Sequence, residues 1–273
     1  MRVVRLEGTE DPRFTDRDLY RLIGDHHGLC AHGLFVAEGR LVVGRLIEQH
    51  FAVRSILVNE AAFRSLEVVC ERLDDEATAF VCDSQAFEGV TGYNIHRGCL
   101  ALAARPARRD LDTLIARARS LILLEDVANA DNVGGIFRNA AAFGVDAVVL
   151  TGGCVDPLYR KAILTSMASA LRVPFLSVET SEAWFEALAR IRAATFQLVA
   201  LTPDSSAIDL DAFVRNLRAD RLALLVGAEG TGLTAESLTA ADVCVRIPIR
   251  TDVDSLNVSV ATGIALHRLF GSR

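Results

Sequence analysis

The chain has 273 residues, of which 51% are hydrophobic and 23% charged, and its formal net charge is −6. This length accommodates one large domain or two ordinary ones with a substantial core. No apolar run reaches the roughly 18 residues of a membrane span, and the N-terminal sequence lacks the apolar core of a signal peptide. The acidic balance excludes nucleic-acid binding through overall charge, so phosphate contacts would have to come from local arginine patches.

The cysteines and histidines are not spaced as metal ligands are. The six cysteines contain no Cys-x-x-Cys pair. This spacing predicts that they are reduced residues in the core of a cytoplasmic protein. They are Cys30, Cys70, Cys82, Cys99, Cys154 and Cys244. The six histidines carry no His-x-x-x-His pattern and no accompanying carboxylate cluster. We therefore expect no metal site.

The first part of the chain, residues 1–105, is predicted to be a small α/β domain. Its predicted strands are Leu34–Ala37, Arg54–Asn59, Thr78–Cys82 and Gly98–Ala103. Its predicted helices are one capped by Thr15 and Asp16 and ended by Gly28, then Arg40–His50, Glu60–Leu73 and a turn at Ser84–Gly89. The segment Ala104–Asp110, with a proline and three arginines, reads as a linker.

The second part, residues 106–273, alternates strand and helix, which predicts a parallel sheet covered on both faces. The predicted strands are Leu121–Leu124, Ala147–Leu150, Phe175–Val178, Gln197–Leu201, Leu222–Val226 and Val243–Ile247. The predicted helices are Val133–Phe143, Leu158–Ala170, Ser181–Ala194, Asp209–Leu217, a short one after Thr234, and Ser255–Phe270. In such sheets ligands bind beyond the carboxyl ends of the strands.

The stretch after the strand Leu121–Leu124 leads into a helix that carries Asn132, Gly135 and Arg138. Val133, Ile136, Phe137 and Ala140 form the predicted buried stripe, and Gly135 on the other face lets a backbone or a ligand approach closely. Two interpretations stay open here. Asn132 is either a helix cap or a site residue, and Arg138 is either a solvated charge or a substrate contact.

The Gly-rich turn Gly227–Gly232 follows the strand Leu222–Val226. It does not match the Gly-x-Gly-x-x-Gly pattern of dinucleotide-binding folds. A tight turn that requires positive φ is one explanation. Glu229, a carboxylate between glycines at the end of a strand, is well placed to meet a cation or a hydroxyl group.

The last polar cluster, Ser255, Asn257 and Ser259, opens the C-terminal helix, with Ser255 near its predicted N-cap. These side chains are either capping and core groups or parts of a site. The helix that follows is apolar on nearly every side, which predicts burial all round, in part by a partner subunit.

Three segments together resemble the motifs of a known family. They are NVGGIFRNA at 132–140, LLVGAEGTGL at 224–233 and IPIRTDVDSLNVSVATGIAL at 247–266. In this order they resemble the three motifs of the SpoU/TrmH branch of the SPOUT superfamily, RNA 2′-O-ribose methyltransferases that use S-adenosylmethionine. The resemblance spans about residues 119–270. More loosely, the front part, above all 34–39, is similar to the L30e-like RNA-binding domain of the family.

The resemblance implies a parallel-sheet SPOUT domain with a deep C-terminal trefoil knot, a homodimer, an rRNA or tRNA substrate and no metal. It assigns cofactor contacts to Gly227, Ile247 and Leu256. It assigns catalytic positions to Asn132, Arg138, Glu229, Ser255 and Asn257. The chain departs from its relatives after Pro248, where 249–254 replace a Met-x-Gly start.

The residue types fit methyl transfer to a ribose hydroxyl. A 2′-OH is a poor nucleophile at neutral pH, so its proton must leave as the methyl group arrives. Arginine is effectively always protonated, which favours a phosphate-gripping and orienting role for Arg138 over that of a base. The alternatives are a catalytically inactive RNA-binding protein on the same scaffold and a nicotinamide-dependent dehydrogenase, whose glycine fingerprint is missing.

Overall fold

The computed structural model describes residues 1–91, 98–216, 219–250, 252–253 and 255–271. The chain divides into two compact units, Met1–Ala107 with Leu158–Leu171, and Arg108–Pro157 with Arg172–Arg273. Residues 158–171, which the sequence places in the second domain, group with the first unit instead. The reason is that helix α8, Arg160–Thr165, packs against strand β2, Leu34–Glu38. Arg160 Nη1 there donates a hydrogen bond to Glu38 Oε2 over 2.5 Å.

The first unit is an α/β fold whose described strands form a five-stranded mixed sheet in the order β1-β4-β3-β5-β2. Strand β5 pairs antiparallel with β2 and β3, whereas β1, β4 and β3 are parallel neighbours. The remaining strands are β1 Arg2–Arg5, β3 Val53–Asn59, β4 Thr78–Cys82 and β5 Cys99–Ala104. The helices are α1 Arg17–Arg21, α2 His26–Ala31, α3 Arg40–Glu48, α4 Glu60–Cys70 and α5 Ser84–Thr91.

The N-terminal segment differs from its prediction. Strand β1 was not predicted because only Val4 of its four residues is buried, so the strand lacks an apolar run. Asp16 occupies the N-cap position of α1 as predicted, but its side chain makes no capping bond, since its buried carboxylate accepts hydrogen bonds from Arg54 and Ser55. Gly28 does not end a helix either. It lies within α2, where its N–H donates to the capping Asp25 carboxylate over 3.0 Å.

The second unit is built on a seven-stranded sheet, among the described residues, in the order β10-β12-β9-β11-β6-β7-β8. Every described pair in it is parallel, which confirms the predicted parallel sheet. The strands are β6 Ser120–Leu124, β7 Ala147–Thr151, β8 Phe175–Val178, β9 Gln197–Leu201, β10 Ile208–Asp209, β11 Leu222–Val226 and β12 Val243–Arg246. The helices are α6 Leu111–Ile115, α7 Ala130–Ala142, α9 Ser181–Ala193, α10 Leu210–Asn216, α11 Ala235–Ala240 and α12 Val258–Phe270.

The central strands β6 and β11 are buried at every residue. Continuous apolar runs of this kind are typical of a parallel sheet with both faces covered. On one face, Leu121, Leu123 and Leu225 pack with Trp184 and Ile191 of α9. The predicted helix Asp209–Leu217 corresponds to α10, and Leu217 lies outside the described residues.

The six cysteines form no disulfide, but the prediction that they are core residues holds for only three, since Cys30, Cys154 and Cys244 are partly exposed. Cys70, Cys82 and Cys99 are buried in the first unit, and burial raises the pKa of the Cys70 thiol to about 11 and those of the other two to about 12. Because the thiolate is the reactive form, these groups are inert at neutral pH. Within the ranges that the structure describes, no helix is both long and apolar enough to cross a bilayer.

The amino ends of the strands in the second unit are joined by the Arg221 side chain, just before β11. Its Nε and Nη1 atoms donate to the carbonyl oxygens of Ala118 and Ala194 over 3.0 and 2.6 Å. A third bond goes to the Ile115 carbonyl. The guanidinium carbon lies 4.2 Å from the ring centroid of Phe196. One side chain therefore satisfies carbonyl groups at the ends of two helices.

We expect Arg221→Met to lower the free energy of unfolding by about 2 kcal/mol, because partly buried carbonyl groups lose their donors. Urea denaturation measures this difference. Arg215→Met, at an exposed arginine of α10, is the matched control and should change the free energy of unfolding by less than about 0.5 kcal/mol. Equal effects of the two substitutions would contradict the role of Arg221.

Candidate active site

A cavity of about 430 Å³ lies beyond the carboxyl ends of the adjacent strands β12, β9 and β11. Its lining comes from the three strand exits and from the start of α12. The lining residues are 201–203, 226–230, Gly232, Ile247, Ile249, 255–258 and Ala261. The cavity thus contains all three predicted cofactor contacts, Gly227, Ile247 and Leu256. It also contains three of the predicted catalytic residues, Glu229, Ser255 and Asn257.

The turn after β11 folds back on itself tightly. A Cβ atom at Gly227 would overlap the backbone of Gly232 and Leu233, so no other residue fits there without moving the turn. Gly230 and Gly232 have φ values of +87° and +71°, and the Gly232 N–H donates to the Ala228 carbonyl over 3.0 Å. Glycine adopts this left-handed region without steric cost. The backbone therefore comes to the cavity surface, and the Glu229 side chain is presented beside it.

Helix α12 begins at Val258, and Asn257 is its N-cap. Ser255, predicted to lie near the N-cap, is two residues before it, and the helix predicted from Ser255 starts three residues later. The Asn257 Oδ1 atom accepts from the N–H groups of Ser259 and Val260 over 3.0 and 3.2 Å. Because Oδ1 is used as the cap, the amide nitrogen must point the other way. It donates to Asn132 Oδ1 over 2.9 Å and to Glu229 Oε1 over 3.2 Å.

Asn132 is not the cap of its helix. Helix α7 begins at Ala130, and Asn129 caps it by accepting from the Asp131 N–H over 2.8 Å. Asn132 is therefore inside the first turn, only 4% exposed, with its side chain free to bind Asn257. The capping interpretation of Asn132 is ruled out, and residues from three distant parts of the chain, Asn132, Glu229 and Asn257, form one hydrogen-bonded set.

Helices α7 and α12 pack at very short range through glycine. A Cβ atom at Gly135 would overlap the Ser259 hydroxyl, and one at Gly263 would lie 2.9 Å from Asn139 Nδ2. Asn139 Nδ2 also donates to the Ser259 carbonyl over 2.9 Å. The close approach predicted at Gly135 is thus made by α12. It brings the start of α12, and with it Asn257, onto the first turns of α7.

Arg138 lies apart from this hydrogen-bonded set. It is exposed on α7, and within the described part of the chain it forms no hydrogen bond or ion pair. It does not line the cavity either. Ser255 is exposed and lines the cavity. The structure thus joins Asn132, Glu229 and Asn257, places Ser255 beside them in the cavity wall, and leaves Arg138 with a free guanidinium.

The segment between Pro248 and Ser255 is described only in part, since Thr251 and Asp254 lie outside the described residues. Arg250 binds Asp252 through two hydrogen bonds of 2.8 and 2.9 Å. The Arg250 guanidinium lowers the pKa of the Asp252 carboxyl below its ordinary value. The pair follows Ile249, which lines the cavity.

Two parts of the site were missed in the sequence. The exit of β9, Leu201-Thr202-Pro203, lines the cavity, and the sequence feature that could have revealed it is a polar residue and a proline directly after an apolar strand. Glu125 is a buried carboxylate at the exit of β6. A charged residue directly after a fully apolar strand was the available indication, since charges are rarely buried without a purpose.

Comparison with known proteins gives concordant results. Residues 119–267, more than half of the chain, match the SpoU rRNA Methylase family. An uncharacterized tRNA/rRNA methyltransferase of Mycobacterium tuberculosis is 37% identical over 94% of this chain and 88% of its own length. A 23S rRNA (guanosine-2′-O-)-methyltransferase of Xanthomonas campestris is 36% identical over 70% of this chain and 76% of its own length.

Solved structures share the fold. The AdoMet-bound rRNA methyltransferase of Sinorhizobium meliloti superposes with a TM-score of 0.81 at 21% identity, covering 98% of this chain and 97% of that one. S-adenosylmethionine is the methyl donor of SpoU methyltransferases. The family match and the two relatives above 30% identity agree with the motif order 132–140, 224–233 and 247–266. The chain therefore belongs to the SpoU rRNA methylase family.

Proposed function

We propose that this protein transfers the methyl group of S-adenosylmethionine to the ribose 2′-OH of a nucleotide in structured RNA, either rRNA or tRNA. The observation that carries the proposal is the hydrogen-bonded set of Asn132, Asn257 and Glu229 beside the cavity beyond the strand ends. The names of the relatives, RNA methyltransferases and in one case a 2′-O-methyltransferase, support it.

The cavity fits the cofactor in size and chemistry. Its volume of about 430 Å³ lies in the range of small-molecule sites. Val226, Ile247, Leu256 and Val258 supply apolar contact, and the Gly-rich turn offers backbone groups for hydrogen bonds. When bound, S-adenosylmethionine supplies an electrophilic methyl group on a positively charged sulfur. An apolar pocket suits it, since a strong anionic contact to sulfur would stabilise the charge that the reaction removes.

The residues of the chain then have separable tasks. Asn257 holds Glu229 and Asn132 in fixed orientations, because its own amide is fixed by the cap of α12. Glu229 and Ser255 are both exposed at the cavity. They face the reacting ribose and hold it through hydrogen bonds. Orientation of this kind accounts for much of the rate of a displacement reaction.

Arg138 is proposed to grip the phosphate next to the target ribose and to orient the 2′-OH. Its guanidinium is exposed and, among the residues that the structure describes, has no protein partner. A planar guanidinium matches phosphate oxygens bidentately. Proton removal by this residue is the weaker alternative, because arginine keeps its proton at neutral pH.

The path of the chain supports the knot that the family resemblance implies. After β12 the chain lines the cavity at Ile247, Ile249 and 255–258, and α12 then packs on α7, the helix that follows β6. We include the trefoil knot in the proposal on this ground. The first unit, with its mixed α/β sheet, is proposed as the L30e-like RNA-binding domain.

We also propose a homodimer that buries one face of α12. Val260 and Ile264, one turn apart on this helix, are 52% and 38% exposed. Apolar side chains aligned along a helix face are typical of a surface that another subunit covers.

The overall proposal is tested by incubating total RNA with labelled S-adenosylmethionine, with and without the protein, and mapping 2′-O-methyl sites. One new modified nucleotide is expected. Label in RNA bases only would exclude the ribose as the target, and the absence of any label would favour an inactive RNA-binding protein.

Gly227→Ala should weaken cofactor binding at least tenfold, because the added Cβ overlaps the backbone of Gly232 and Leu233 and moves the pocket wall. Calorimetric titration with S-adenosylmethionine measures the affinity. Gly24→Ala is the control, since a Cβ there has no atom within 4 Å among the described residues. An unchanged affinity in the Gly227 variant would remove this turn from the cofactor site.

Arg138→Ala should reduce single-turnover methyl transfer about a hundredfold while leaving the fold and cofactor affinity nearly unchanged. Arg117→Ala, at an exposed arginine before the amino end of β6, should leave the rate within about twofold. A full rate in the Arg138 variant would refute the assignment. Lost cofactor binding would instead mean that Arg138 supports the pocket.

Val260→Asp should shift the protein to monomers in sedimentation velocity at micromolar concentration, because a charge would be buried at the proposed interface. Val68→Asp, at a valine of α4 that is 75% exposed, should not change the sedimentation coefficient. A wild-type protein that sediments as a monomer at this concentration would contradict the dimer.

A further inference from the structure

The Gly-rich turn of the cavity is held at both ends by one residue, Glu125. This residue follows β6, the parallel neighbour of β11, and its N–H donates to the Val226 carbonyl at the start of the turn over 2.9 Å. Its carboxylate reaches the end of the turn. Oε2 accepts from the Thr234 N–H over 3.1 Å and Oε1 accepts from the Thr234 hydroxyl over 2.8 Å. Residues 227–233 therefore form a loop whose two ends meet on Glu125.

The Glu125 carboxylate is buried, with the residue only 5% exposed, and it has no ion pair in the described part of the chain. Oε1 accepts a further bond from the Ser237 hydroxyl over 2.9 Å. That hydroxyl in turn accepts from Trp184 Nε1 over 3.1 Å, and Trp184 is 2% exposed. A buried carboxylate without a cation depends on its hydrogen-bond donors. The three donors are thus held in one arrangement around it.

At the other end of β6, the carboxylate of Asp146 accepts a similar number of hydrogen bonds. Asp146 Oδ2 accepts from the N–H groups of Arg119 and Ser120 and from the Ser120 hydroxyl, over 2.8 to 2.9 Å. Asp146 joins segments at the amino end of the strand, and it does not line the cavity. Glu125 differs in what it holds, because its loop supplies Gly227 and Glu229 to the cavity.

We propose that Glu125 is a positioning residue for the methyl transfer proposed above. It fixes both ends of the 227–233 turn, so that the pocket wall and the Glu229 carboxylate are in place before the cofactor binds. It acts through Thr234 and the turn and does not touch the reacting atoms. This inference rests on the proposed function for its catalytic meaning, while the hold on the turn is a property of the unliganded protein.

The test substitution is Glu125→Gln, which keeps the volume of the side chain. An amide offers one oxygen where three donors converge, so at least one donor meets the amide nitrogen. We expect S-adenosylmethionine to bind about tenfold more weakly, the effect of one buried donor left without its acceptor. We also expect faster hydrogen exchange at the amides of 228–234 in the unliganded protein, because the turn opens more often.

Asp146→Ala is the matched control, since it removes three hydrogen bonds at the far end of the same strand. It should lower the melting temperature but leave cofactor affinity within about twofold and exchange in the turn unchanged. Thr234→Val removes the hydroxyl that donates to Glu125 Oε1, and with it the oxygen that accepts from the Ser237 N–H and caps α11. It should weaken cofactor binding and speed hydrogen exchange in the turn, as Glu125→Gln does, but by a smaller amount. It replaces Glu125→Gln as the test if that variant does not fold.

The outcomes separate this inference from the proposed function. Wild-type affinity and wild-type exchange in Glu125→Gln would overturn the positioning role. The positioning role would also be overturned if Asp146→Ala lowered the cofactor affinity as much as Glu125→Gln at the same loss of melting temperature. Glu125 would then act through global stability alone. A wild-type protein that does not bind S-adenosylmethionine would refute the proposed function, and the exchange measurement would still decide whether Glu125 holds the turn.

Discussion

The site of this protein depends on the carboxamide of Asn257, which takes part in two structures at once. Its oxygen caps α12, and its nitrogen binds Asn132 of α7 and Glu229 of the Gly-rich turn. An amide can serve both only in one orientation, because oxygen accepts and nitrogen donates. The start of a helix, the exit of a strand and the first turn of another helix are therefore fixed to each other by one planar group.

The surrounding structure brings these segments within reach. All described strands of the second sheet are parallel, so their carboxyl ends lie at one edge, and the cavity opens there. Gly135 and Gly263 let α7 and α12 approach until Asn139 bonds the backbone of α12. Larger residues at either position would separate Asn132 from Asn257. The glycines between the two helices thus contribute to the geometry of the polar set as much as its own members do.

The sequence predicted the parts of the structure that depend on local pattern. The apolar runs predicted all of the second sheet except β10, which has only two residues. The three motifs predicted six residues that line the cavity, but Arg138 is not among its lining residues and the segment 201–203 was missed. Features that depend on tertiary contact were missed. The burial of Asp16 depends on Arg54 and Ser55 of β3, and the bond from Asn257 to Asn132 depends on where α7 lies. The predicted helix Leu158–Ala170 is α-helical only at Arg160–Thr165. The element against which it packs cannot be predicted from its own periodicity.

The amino and carboxyl edges of the second sheet, where its strands begin and end, have different roles. Arg221 and Asp146 act at the amino edge, where they saturate carbonyl and amide groups far from the cavity. The carboxyl edge holds the cavity and the hydrogen-bonded set of Asn132, Glu229 and Asn257. Stability gained at the amino edge adds nearly independently to changes at the other, since the two sets share no contact. Substitutions around the cavity can therefore be compared in a background first strengthened at the amino edge, where the added stability tolerates the loss that each of them causes.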